Sequence, residues 1–155
     1  VTLNDDIAAL SAARLFEDLS TEQLRLLAFG AERLRFAAGR TLFRQDERAD
    51  CGFIVDVGAI ALIRHTDRGE QRVMTAGPGM VLGQLALITE TNWMTSARTE
   101  TDSEVLRISR SLFRRMLAEY PQTAMAIHAQ LAGDLKRLLK DIERVERGFR
   151  DAPGL

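Results

Sequence analysis

The chain has 155 residues, 46% of them apolar and 28% charged, with a formal net charge of -1; this is the make-up of one soluble globular domain with a single core. Its 21 lysines and arginines are spread along the chain, so no concentrated basic face marks a nucleic-acid binder. One cysteine, Cys51, excludes an intramolecular disulfide; His65 and His128 lie too far apart to complete a zinc set; and no apolar run approaches the ~20 residues of a membrane span, so a reducing, cytoplasmic setting is expected.

Leu10, Ala13, Leu15, Leu19, Leu24, Leu27 and Ala28 recur at helical spacing and predict two short helices over 5–16 and 20–29. The second is announced by Ser20 as N-cap with Gln23 three residues on, a capping box. From there to about 108 apolar residues alternate or run in short groups between glycines. Segments 34–36, 41–43, 52–57, 59–65, 72–76 and 105–108 read as strands, with 67–70 as a hairpin turn. Short strands at such regular spacing point to an all-β sandwich or barrel. Helical pattern then returns: Ser109 or Ser111 caps a short helix ending near Tyr120, and Pro121 opens a longer one. Ile127, Leu131, Leu135, Leu138, Ile142 and Val145 form a near-heptad seam on that last helix, flanked by Asp134, Lys136, Arg137, Lys140, Asp141, Glu143, Arg144, Glu146 and Arg147. A homodimer through residues 127–145 is expected, although the same stripe would also suit packing on its own chain. Gly148 and the segment 151–154 end the helix, so the organisation is N-terminal helices 1–30, strands 31–108, C-terminal helices 109–147 and a tail 148–155, in one domain.

Several pieces in order carry a resemblance: Leu15-Phe16 with Leu19; Phe36, Gly39, Leu42 and Phe43; Phe53-Ile54-Val55, Gly58, Ile60 and Leu62; Gly69; Gly77, Gly79, Leu82 and Gly83; Leu85-Ala86-Leu87; and Leu106 with Ile108 ahead of Phe113 and Leu117. Over residues 12 to 140 the chain resembles the cyclic-nucleotide-binding domain of catabolite-activator-like regulators, cyclic-nucleotide-dependent kinases and gated channels. The resemblance implies a mainly β fold with flanking α, a double-stranded β-helix or jelly-roll-like β-roll with N-terminal helices and a long C-terminal helix. Gly39, Gly58 and Gly79 then fall at strand junctions, where positive φ is free of steric cost.

The resemblance also implies a phosphate-binding cassette at about 79–98. In the family it reads Gly-Glu-apolar-small-Leu followed by Arg-small-Ala-Thr or Ser: backbone amides cradle the cyclic phosphate, the arginine neutralises it and the glutamate accepts from the ribose. Here Gly83, Gln84, Leu85 and Ala86 supply the first half. The arginine falls on Trp93, or on Met94 with a loop one residue longer, and Thr95 and Ser96 stand near the hydroxyl position. Nothing basic lies between 84 and 97, and in a regular strand Arg98 points to the opposite face from Trp93, Thr95 and Ala97. A hydrogen bond to a charged group is worth ~1.5–3 kcal/mol, so the missing arginine weakens phosphate binding by about one to several powers of ten. Trp93 either stacks on a different ring ligand or fills the vacated seat as core.

Lys136, Arg137 and Lys140 match family positions on the terminal helix only loosely. Cys51 has no resolving cysteine and reads as a structural thiol. No nucleophile–base pair, acidic dyad or metal set suggests catalysis. The expected function is a non-catalytic regulatory or sensor domain with weak, altered or absent cyclic nucleotide binding, its ligand a cyclic nucleotide or another small molecule. The alternatives are a ligand-independent dimerisation or interaction module, and the effector half of a transcription regulator whose DNA-binding part lies elsewhere.

Overall fold

The computed structural model describes residues 2–150, with side chains given through 134 and at 136, 137 and 140. Two compact units are present, one through Tyr120 and one beginning at Pro121.

The first unit opens with α1 (Leu3–Ser11), a 3-10 turn (Arg14–Phe16) and α2 (Thr21–Gly30). The expected helix over 5–16 is therefore two pieces. It starts earlier, because Thr2 and Asp5 form a capping box, and it breaks where Ala13 takes extended φ/ψ (-79°, 130°). That break lets both Leu15 and Phe16 turn inward, 3% and 0% exposed. The capping box at α2 is as expected: the Ser20 amide donates to Gln23 Oε1 at 2.8 Å and the Gln23 amide to Ser20 Oγ at 3.2 Å.

Ten strands follow: β1 (Glu32–Phe36), β2 (Thr41–Phe43), β3 (Arg48–Ala49), β4 (Cys51–Val57), β5 (Ile60–Thr66), β6 (Gly69–Ala76), β7 (Val81–Leu82), β8 (Thr91–Asn92), β9 (Ser96–Thr99) and β10 (Ser103–Ser109). Two antiparallel four-stranded sheets, ordered β1-β10-β4-β7 and β2-β9-β5-β6, face each other, and β3 pairs β8 as a two-stranded ladder. Phe53, Val55, Leu82 and Val105 from the first sheet meet Phe43, Ile60, Ala76 and Ala97 from the second in one apolar interior. This is the mainly β jelly-roll fold with flanking helices.

Phe53-Ile54-Val55 is an unbroken apolar run because β4 is buried on both faces. Phe53 and Val55 face the interior, while Ile54 shares the other face with its partner Leu106, on the side where α1 packs. Gly39, Gly58 and Gly79 take φ of +83°, +98° and +89°, as their places at strand junctions require.

Ser109, not Ser111, caps α3 (Arg110–Glu119), its hydroxyl accepting from the Leu112 amide. Phe16 and Phe113 join the N-terminal segment to α3 with ring centroids 6.2 Å apart. The second unit is α4 (Pro121–Arg150), which continues through Gly148 rather than ending there. Leu135, Leu138, Ile142 and Val145 of the heptad seam, and the segment 151–154, lie outside the described side chains or residues. Among the described residues, no helix is long and apolar enough to cross a membrane.

Candidate functional site

The cassette runs from the end of β7 through Gly83 and a 3-10 turn (Leu85–Leu87), returns along β8, and enters β9 after Trp93, Met94 and Thr95. Gln84 precedes the turn in helical conformation. Amides of Ala86, Leu87, Ile88 and Thr89 donate to Gly83, Gln84, Leu85 and Leu85 oxygens at 3.0–3.2 Å, which leaves the amides of Gln84 and Leu85 outside this ladder. This is the turn that the resemblance assigns to the phosphate cradle.

What faces the cradle is an indole. Trp93 is 9% exposed and lies within the interior cluster. Its ring stacks on Phe43 at a centroid distance of 3.7 Å and 10° and meets Phe53 at 6.1 Å. A Cβ added to Gly83 would lie 2.7 Å from two carbons of the indole and 2.9 Å from the Cys51 oxygen, and Gly83 has φ of +84°. Glycine is therefore required here twice over: for a left-handed backbone, and so that the indole can lie against its Cα.

The backbone of Trp93 is held from both sides by the 44–47 turn: its amide donates to the Glu47 oxygen at 2.9 Å, and its oxygen accepts from the Asp46 amide at 2.8 Å. Asp46 takes φ of +69°, a conformation a short polar side chain tolerates. Of the two positions open to the family arginine, Trp93 is the one inside; Met94 is 58% exposed.

The remaining candidate residues do not converge on a ligand. Leu85 is half-buried and Ala86 buried. The Ser96 hydroxyl accepts from the Gln45 amide at 2.9 Å and so fastens the turn. The Gln84 side chain makes no cap bond, and Thr95 is half-buried. Arg98 turns outward as its register requires, beside the wholly buried Ala97, and donates to both Glu70 carboxylate oxygens at 3.1 Å. Arg72, also exposed, pairs with Glu100.

The position that the resemblance gives to the arginine is thus held by an apolar ring, and Arg98, the next cation along β9, is bonded to Glu70 instead. Burial pushes the Cys51 thiol above its ordinary value, with Arg107 pulling the other way, so Cys51 is a packed thiol rather than a nucleophile. His128 is exposed on α4, and Arg137 pairs with Asp134 on the same helix.

One polar residue of the cassette escaped sequence reasoning. Arg110, 9% exposed, donates from Nε to the Ala86 oxygen and from Nη2 to the Ala49 oxygen, both at 2.6 Å. The available signal was a cation at the first position of a helix, where the dipole disfavours it.

Comparison with known proteins agrees with this architecture. A model of the cyclic nucleotide-binding domain matches residues 33–120, more than half of the chain. A cyclic nucleotide-binding-like protein from Brucella abortus, known by structure, is 50% identical, with 74% of this chain and 98% of that one covered and a TM-score of 0.67. The cyclic AMP receptor protein of Thermus thermophilus is 26% identical over 144 residues, 92% of this chain and 66% of the receptor. The lysophospholipase NTE1 of Chaetomium globosum is 25% identical over 149 residues, 96% of this chain but 10% of the enzyme, so the chain spans about a tenth of that relative's length. By that match over more than half of its length, this chain belongs to the cyclic nucleotide-binding domain family.

Proposed function

We propose that this chain is a non-catalytic regulatory domain of its family that works without capturing a cyclic nucleotide. The observation that carries the reading is the indole of Trp93, stacked at 3.7 Å on Phe43 and pressed against the glycine of the cradle. A ligand entering in the family manner has to expel that ring from the core and then leave its phosphate without a counter-charge. Each step costs several kcal/mol, and the cradle amides and Gln84 offer only neutral hydrogen bonds in return.

The useful surface is then an interaction face. The seam on α4 suits pairing with a second copy through residues 127–145, and its spacing is the support for that part of the proposal. Sedimentation at micromolar concentration tests it: a dimer is expected, and a monomer removes it.

The ligand reading is tested by calorimetric titration of cyclic AMP and cyclic GMP at low salt, followed in parallel by fluorescence of the single tryptophan. No heat and no spectral change at ~1 mM nucleotide are expected; a dissociation constant at or below ~10 μM overturns the proposal.

A further inference from the structure

Arg110 stands where a cation is least welcome. It is the first residue of α3, behind the Ser109 cap, so it faces the positive end of the helix dipole, and it is 9% exposed. It has no ion-pair partner among the described residues; its charge is met by carbonyl oxygens. Two charge-assisted bonds of 2.6 Å compensate the burial, and the residue's own amide donates to the Asp50 oxygen at 2.9 Å.

One oxygen belongs to the outgoing arm of the cassette and the other to β3, the strand paired with the returning arm. Ala86 lies in the 3-10 turn that follows Gly83. Ala49 pairs with Thr91 across the β3–β8 ladder, two residues before Trp93. One planar guanidinium thus ties the outgoing arm, the strand paired with the returning arm and the start of α3 together. A lysine at this position would supply a point charge without the fork that spans both oxygens.

We propose that Arg110 is the positioning residue that couples the cassette to α3, a lock that needs no ligand. Displacing α3 carries the cassette with it or breaks both bonds, and by reciprocity a disturbance of the cassette loosens α3.

The test is native-state amide exchange on the whole chain for wild type, Arg110→Met, Arg110→Lys and Leu112→Ala. Leu112 is the control: it sits on the same helix but lies against Gly30 of α2. Arg110→Met is expected to raise opening of amides 85–94 by about tenfold or more, the scale of one lost charged hydrogen bond, while amides of β5 stay protected. Arg110→Lys keeps the charge, is the variant to use if the methionine chain does not fold, and is expected to open the same segment by a smaller factor. Leu112→Ala is expected to raise exchange without singling out that segment. Reciprocity is read with Gly83→Ala: it should speed exchange of amides 112–116 in the wild-type background and not in Arg110→Met. A uniform rise in Arg110→Met that matches Leu112→Ala, an unchanged cassette, or Gly83→Ala acting equally in both backgrounds overturns the proposal.

Discussion

Replacing Trp93 by alanine removes the ring that stands at the position the resemblance gives to the cassette arginine, and its cost measures how completely that position has become core. Trp93 is 9% exposed, so about nine-tenths of the ~150–250 Å² of an indole is out of water. At ~25 cal/mol per Å² this burial is worth about 3–6 kcal/mol, in the range of the ~3–5 kcal/mol found for large aromatic residues truncated in cores. The stack on Phe43 at 3.7 Å and the tilted contact with Phe53 at 6.1 Å add to it, and the cavity left behind is walled by strands of both sheets and cannot close easily. We therefore expect a loss of about 4 kcal/mol, a large part of the ~5–15 kcal/mol of a domain. In urea, with a slope of ~1–3 kcal/mol/M, the midpoint falls by about 2 M. Unfolding has to be followed by far-ultraviolet circular dichroism, since the substitution removes the chain's one tryptophan. Trp93→Phe, which keeps a ring on Phe43, is expected to cost about 1–2 kcal/mol. A loss below about 1 kcal/mol for the alanine variant would mean that the indole is not packed in the interior, and the account of a filled seat would fall with it.

Three further changes probe the same architecture. Gly83→Ala places a Cβ 2.7 Å from the indole and 2.9 Å from the Cys51 oxygen at φ of +84°, so a loss above ~2 kcal/mol is expected in denaturant titration. Combined with Trp93→Ala it should cost less than the sum of the two, but remain destabilising because the backbone contact persists; strict additivity would refute the contact. Because Cys51 holds its proton above the ordinary 9.0, the native state retains a proton that the unfolded chain releases, and stability should fall as pH rises through about 9. Cys51→Ala should flatten that fall, and an identical pH profile for the two proteins would refute it. Arg33 holds Asp6 of α1 at 2.7 Å and Asp56 of β4 at 2.7 Å, with 12% of its side chain exposed. Arg33→Met should cost about 2 kcal/mol, less than for a fully buried pair, and should release α1 first in amide exchange; protection of α1 equal to wild type would contradict the clamp.

The fold was legible because its irregularities are periodic. Gly39, Gly58 and Gly79 mark the corners at which the chain changes sheet, and the run Phe53-Ile54-Val55 marks a strand covered on both sides. Ser20 with Gln23 states a helix start in two letters. The two-residue strands β3, β7 and β8 were not legible, since two residues carry no period and such strands exist only through their partners. The break at Ala13 was hidden for a related reason: helix period alone does not say that Leu15 and Phe16 must both turn inward. At the site, the absent arginine was visible in the sequence, but the place of Trp93 was not. An indole on the returning arm serves equally as a stacking platform or as a plug, and the stack on Phe43 of β2, 3.7 Å away, is what favours the plug. Arg110 was missed because its partners are backbone oxygens, which no side-chain pattern encodes.

Exchanging the cassette arginine for tryptophan alters what the empty domain is. A guanidinium aimed into an apolar roll is a charge awaiting a partner; without the anion it has to be solvated, or the segment that carries it has to move. Such a site is poised between two arrangements, and the ligand's differential binding selects one. An indole in the same position has no such need. It is satisfied by Phe43, Phe53 and the bare Cα of Gly83, and those contacts draw the cassette inward. Arg110 bonds the Ala86 oxygen of the outgoing arm and the Ala49 oxygen of β3, the strand paired with the returning arm. Contacts of Trp93 and of Arg110 thus both bear on the cassette, which is the basis of the proposal that it keeps one arrangement without a ligand.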